Sequence, residues 1–184
     1  QWAEGMWLEE AAAQAGQPVV DFLCDMLLAA QLRVSSVFNQ PRTNTIKDIV
    51  AHFQDQAHMA GSDSIYLGGS PHPRGWGTFA RFLGVHTREL GDWTWGQASQ
   101  HLSSHACRRF GLLDRGLIRP GMAADLVALV PRTVGDRSTY ETPRIPAQGV
   151  YRVWIEGHEV FRNGALTGLP AGRALRRGEP SLAT

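Results

Sequence analysis

"VSSVFNQPRTNTIKDIVAHFQDQAHMAGSD", residues 34 to 63, is the stretch whose reading decides the fold. Val34 to Phe38 is short, β-branched and followed by polar turn residues, which predicts a buried strand. Asn44 and Thr45 stand where a helix N-cap belongs, and Ile46, Ile49, Val50 and Phe53 then recur at helical spacing through residues 46 to 54. A small apolar lead-in, Met59, Ala60 and Gly61, runs into Asp63 and is read as a second strand. Strand, helix, strand in that order is a βαβ unit, the building block of parallel sheets, so the stretch predicts an α/β chain.

Outward from this unit the pattern continues in both directions. Residues 6 to 15 are rich in helix formers and close at Gly16, and residues 19 to 30 carry Val19, Phe22, Leu23, Met26 and Leu27 at helical spacing. Downstream, helical patterns run from about Phe79 to Leu90 and from about Gly96 to Phe110, with Gly91 and Asp92 between them. The style changes at Gly111. After it comes a turn-rich stretch with a strand predicted at Leu126 to Val130. Residues 150 to 164 then alternate around Gly157 as a β-hairpin, with Asn163-Gly164 as a further turn. The expected division is therefore 1–110, helical with parallel strands, and 111–184, a small antiparallel β region and tail.

Bulk properties exclude several function classes. The chain has 184 residues, 43% of them hydrophobic and 19% charged, with a formal net charge of +1, which describes a globular chain able to bury a core. So balanced a charge offers no electrostatic footprint for nucleic acid, and the basic group Arg173, Arg176 and Arg177 reads as a solvated tail. No apolar run reaches the roughly 20 residues of a membrane span. Cys24 and Cys107 are the only cysteines, and with no CxxC spacing they form neither a disulfide framework nor a zinc ribbon. They read as inert core thiols in a reduced, cytoplasmic setting. Gln1 rather than Met opens the chain, which points to processing or truncation.

The chemistry concentrates in "HMAGSDSIYLGGSPHPRGWGTF", residues 58 to 79. Asp63 ends the second predicted strand, and a loop full of Gly and Pro then presents His72 and Arg74. A carboxylate at that point has two readings: it caps the following turn, or it performs proton transfer at the end of a strand. Gly68, Gly69, Gly75 and Gly77 suit a mobile loop closing over substrate and equally a plain irregular connection. Among the other histidines only His101 and His105 share an i, i+4 spacing, and this pair reads as structural rather than as a metal site.

These segments carry a family resemblance. GSDS (61 to 64), HPRGWGTFARFLG (72 to 84), ACRRFGLLDRGLIRPGMAADLVAL (106 to 129) and the later VYRVWIEGHEVFRNGALTG together resemble the C-terminal part of D-aminoacylases, the N-acyl-D-amino-acid deacylases of the amidohydrolase superfamily. RGLIRPGMAADLV is shared widely in that superfamily, whereas GSDS followed by HPRGWGTF is narrower. The resemblance implies the C-terminal portion of a metal-dependent TIM-type barrel plus C-terminal strands of a small β-sandwich. On that fold a residue at the C-terminal end of a barrel strand is placed for chemistry.

By resemblance, Asp63 is the catalytic general base and a candidate metal contact. Arg74 grips the substrate's free carboxylate through its planar guanidinium, and His72 is a further candidate for substrate binding. The implied cofactor is zinc, and the implied partner is a small-molecule N-acyl-D-amino acid rather than nucleic acid or a membrane. The HxH, cysteine and further histidines that hold zinc in the family do not occur in this chain. It is therefore expected to be inactive alone and to need the remainder of the barrel. Two alternatives stand beside this reading: a hydantoinase-like or other amidohydrolase acting on cyclic amides, and a non-catalytic interaction module.

Overall fold

The computed structural model describes residues 2–34, 36–37 and 46–177. Helix α1 (Leu8–Ala15) stops at Gly16, whose left-handed backbone (φ 68°) turns its N–H back onto Ala12 and Ala13 carbonyls. Helix α2 (Val19–Ala29) returns against α1, burying Ala11, Ala12 and Phe22 with Met6, Leu8 and Met26 around them. The opposite side of α2 stays in solvent, with Val20 70% and Leu28 76% exposed. Cys24 is also exposed, which corrects its expected place in a core: α2 packs on α1 through the Phe22–Met26 face, and Cys24 lies off it.

Helix α3 (Ile46–Gln54) forms as its spacing predicts, while Asn44 and Thr45 lie outside the described residues. The two parallel strands expected around it do not form among the described residues. Val34, Ser36 and Val37 have no ladder, Ser35 and Phe38 lie outside the described residues, and Met59 to Asp63 is irregular. The physical reason is that a strand in a parallel sheet is held only by hydrogen bonds to distant neighbours, and no described segment lies alongside to supply them. Ala60 N–H reaches His101 O at 3.2 Å instead.

Helix α4 (Arg74–Arg81) begins five residues before the predicted Phe79 and continues through a π-helical stretch, Phe82–Glu89. The second pattern is likewise composite: α5 (Trp95–Ser99), a π-helical turn at Gln100–Ser104, then α6 (His105–Phe110). Thr94 opens it with a capping box, its hydroxyl accepting from Gln97 N–H while the Gln97 side chain accepts from Thr94 N–H. Gly111 closes it in the left-handed conformation, φ 74°.

Between these helices sits an aromatic nest. Trp93, 2% exposed, stacks on His101 at 4.7 Å and on Phe82 at 5.1 Å, while Phe53 packs edge-on to His86 at 4.9 Å. Trp93 Nε1–H donates to Phe53 O at 3.1 Å, so the buried indole is satisfied. Burial, and then neighbouring His101, hold the His58 imidazole below its ordinary pKa, with Asp55 pulling the other way.

The sheet is antiparallel, in the order β1 (Leu126–Leu129), β2 (Val150–Ile155), β3 (His158–Arg162), β4 (Ala165–Leu166). Its hairpins turn at Glu156-Gly157 (φ 49° and 81°) and Asn163-Gly164 (φ 49° and 90°), positive pairs that match the right-handed twist of the strands. Arg115, with its side chain only 6% exposed, pins the turn-rich stretch to the sheet by pairing with Asp125 and approaching Asp114 at 3.5 Å and Glu156 at 3.6 Å. The tail is less free than its composition suggests. Arg173 Nε lies 3.1 Å from Glu156 Oε1, and the Arg177 side chain lies over Gly111.

Candidate active site

The turn from Asp63 to Trp76 brings the predicted residues together. Arg74 Nη2 lies 2.9 Å from Asp63 Oδ2, joining the end of the apolar lead-in to the first residue of α4. Asp63 holds a left-handed backbone, φ 47°, which is costly for a residue with a side chain and recurs at functional sites. Its carboxylate is 87% exposed, and among the described residues no backbone N–H donates to it, so it does not serve there as a turn cap. Two polar atoms inside the turn, Ser64 Oγ and Arg74 Nε, are buried without a hydrogen-bond partner.

The structure places Arg74 on a helix rather than in a loop, and gives the reason. Pro73 precedes it with φ −58°, the angle a helix start requires. Gly75 and Gly77 lie within that helix rather than serving as hinges. At Gly77 the Asp136 carboxylate occupies the space a Cβ would take, so a close approach demands glycine there. His72 has both ring nitrogens engaged by the protein. Nδ1 accepts from Arg74 N–H at 3.0 Å, which leaves the neutral ring's proton on Nε2, 3.4 Å from the Tyr140 hydroxyl. Burial, and then the Arg74 charge, lower its pKa and favour that neutral form.

Several residues around this turn were not legible as site residues. Tyr140 packs edge-on to His72 at 5.3 Å, and Ser138 Oγ lies 3.0 Å from Pro73 O. Arg144 Nη2 donates to Gly68 O at 2.6 Å, with its guanidinium 5.5 Å above the Trp76 ring. In sequence they are merely polar members of RSTYETPR, residues 137 to 144, and no spacing links them to Arg74.

Among the described residues no group of three or more His, Cys, Asp or Glu converges so as to hold a metal ion. His101 Nδ1 and His105 Nδ1 are turned onto His58 O at 2.8 and 3.3 Å, so the i, i+4 pair braces the backbone. The described residues do not by themselves fit a metal centre. The apolar cavity beside α3, about 280 Å³, is walled by Ile49, Phe53, Phe82, Val85, His86 and Leu90 and contains none of the candidate residues. No described helix is long and apolar enough to cross a membrane.

Known proteins resemble this chain along most of its length. It is 35% identical over 173 residues to a D-aminoacylase of Alcaligenes xylosoxydans xylosoxydans, a match covering 94% of this chain and 34% of the relative. An N-acyl-D-glutamate deacylase of the same organism is 34% identical over 175 residues, again covering 94% and 34%. A solved D-aminoacylase structure superimposes with a TM-score of 0.78 at 34% identity, over 92% of this chain and 34% of that one. The N-acyl-D-glutamate deacylase of Bordetella bronchiseptica, solved with zinc and a phosphonate mimic of the tetrahedral intermediate, gives 0.75 at 31% identity, over 90% and 33%. The chain thus spans about a third of the length of the relatives it matches. Residues 8–161 match the Amidohydrolase family, and the chain belongs to that family.

Proposed function

We propose that the chain is the C-terminal part of a zinc-dependent N-acyl-D-amino-acid deacylase, with Asp63 as the proton-transfer group and Arg74 as the carboxylate clamp. The observation that carries this reading is the 2.9 Å contact between the two side chains, which puts an exposed carboxylate and a guanidinium at one turn. Hydrolysis of an amide needs a group that takes a proton from the attacking water and returns one to the departing nitrogen; Asp63 is exposed enough to do both. Arg74 can present two parallel N–H donors to a substrate carboxylate, fixing the hand of the stereocentre relative to Asp63. His72 supports the turn through the Arg74 amide. Zinc and its ligands belong, in this proposal, to the part of the relatives' length that this chain does not span, and the boundary between barrel portion and β-sandwich portion falls at about Gly111.

The test is steady-state kinetics on a chain restored to the relatives' length, with metal content measured alongside. Asp63→Asn keeps size and hydrogen bonding but cannot accept the proton, and is expected to lower turnover by at least ~10²-fold with metal retained. Arg74→Lys keeps the charge and loses the fork. It is expected to weaken binding of acids by roughly 1 to 3 kcal/mol and to leave a carboxyl-amidated analogue nearly unchanged. Equal penalties on acid and amide would remove the carboxylate clamp and favour cyclic-amide substrates. Full turnover in Asp63→Asn would remove the catalytic role.

A further inference from the structure

We propose that Asp136–Arg144 is a strap that positions the Arg74 turn for the substrate's carboxylate, with Tyr140 and Arg144 as positioning residues; this rests on the deacylase reading above. The strap meets the turn at residues on both sides of Arg74. On one side Arg144 holds Gly68 O at 2.6 Å, Tyr140 packs on His72 at 5.3 Å and Ser138 Oγ lies 3.0 Å from Pro73 O. On the other, the Arg144 guanidinium covers Trp76 at 5.5 Å and the Asp136 carboxylate fills the space at Gly77. These contacts join residues between 59 (Asp136 to Gly77) and 76 (Arg144 to Gly68) positions apart in sequence.

Force applied at those points reaches Arg74 through short links. His72, held by Tyr140, accepts the Arg74 amide at 3.0 Å. Trp76, held by Arg144, packs edge-on to Tyr66 at 5.1 Å, and the Tyr66 hydroxyl donates to Gly75 O at 3.3 Å. The backbone before and after Arg74 is therefore fixed by two aromatic pairs, and each pair is anchored by a strap residue. The strap is itself ordered. Its base is closed by Gly135 and Gln148, which exchange backbone hydrogen bonds of 3.3 and 3.0 Å. Thr139 and Thr142 lock its tip, with Thr142 N–H donating to Thr139 Oγ1 at 3.0 Å.

A guanidinium directs two bonds at a carboxylate only if its base does not wander, so loosening the strap should weaken carboxylate binding more than it slows the chemistry. In the complete enzyme Arg144→Ala is expected to raise KM for N-acyl-D-amino acids roughly tenfold, the scale of one charge-assisted hydrogen bond. Expected alongside are kcat within about threefold of the unaltered enzyme, unchanged metal content and little effect on a carboxyl-amidated analogue. Arg144→Lys, which keeps a donor for Gly68 O, should recover part of the loss.

A second measurement reads the strap without reference to activity. Hydrogen exchange of the Gly75, Trp76 and Gly77 amides in the 184-residue chain should quicken about tenfold in Arg144→Ala, while β2 and β3 amides, which report the fold, stay unchanged. Unchanged exchange at those amides would overturn the strap itself. Faster exchange with KM unchanged, or raised equally for acid and amide, would overturn the positioning role. Absence of turnover in the unaltered complete enzyme would bring down the deacylase reading and the positioning role with it, while the exchange result would still decide whether the strap exists.

Discussion

The Met59–Asp63 segment and the β2–β3 hairpin both read as strands in sequence, yet only the hairpin is one in the structure. In the hairpin each strand finds its partner across a two-residue turn, so Arg152 meets Arg162 and Val153 meets Phe161 at small cost in loop entropy. Met59–Asp63, which reads in sequence as a parallel strand, has no ladder among the described residues. Its neighbours would have to come from far along a chain, and its catalytic candidate hangs on a turn stabilised from outside. A local motif carries its own hydrogen-bond partners, whereas a parallel strand acquires them only when a whole sheet assembles around it.

The largest expected effect concerns chemistry at the Asp63 turn. Because no described cluster of ligands converges, the 184-residue chain alone is expected to hold no stoichiometric zinc and to hydrolyse no N-acyl-D-amino acid. Elemental analysis finding one tightly held zinc per chain would break the contrast at once. Next in size is amide protection. Val153 and Phe161 amides are expected to exchange at least ~10²-fold more slowly than those of Ser62 to Ile65, whose N–H groups have no partner among the described residues. Joining the chain to the rest of the relatives' length should raise protection in the second group and leave the first where it was. Equal protection in the isolated chain would mean that the lead-in is held as firmly as the hairpin.

A glycine pair tests the same contrast by substitution. At Gly149, just before β2, φ is +82° and an added Cβ would collide with the backbone of Val134, which is itself fully buried. Gly149→Ala is expected to lose about 2 kcal/mol or more in denaturant unfolding, through overpacking and backbone strain together. Gly61 has nothing within 4 Å of such a Cβ, and Gly61→Ala in the isolated chain should shift stability by less than about 0.5 kcal/mol.

The smallest expected effect is a dependence on pH. The folded chain holds the His58 imidazole below its ordinary pKa of about 6.5, so the unfolded chain binds more protons in the window beneath that value. Stability is then complete above about pH 6.5 and declines as the pH falls through the window. Thermal unfolding between pH 7.5 and 5.5 should show the decline, and His58→Gln should reduce it, leaving the part due to His72, whose imidazole is also held below its ordinary pKa. A midpoint that rises on acidification would contradict the burial assigned to His58.

Elements set by near neighbours were legible in the sequence. Gly16 and Gly111 marked helix ends, the spacing of Ile46 to Phe53 marked α3, and the two positive-φ pairs marked the hairpins, because caps, periodicity and turns act over a few residues. Asp63 and Arg74 were named through the resemblance carried by GSDS and HPRGWGTF, and not through any spacing of their own. What only the tertiary structure decided was long-range. It denied Met59–Asp63 a ladder, set the Asp136 carboxylate against Gly77, and left Cys24 on the outside of α2. It also brought Tyr140 and Arg144 against a turn more than sixty residues away. Sequence patterns report forces that act along the chain; contacts between distant segments depend on which surfaces the folded elements leave facing each other, and that is settled only when they pack.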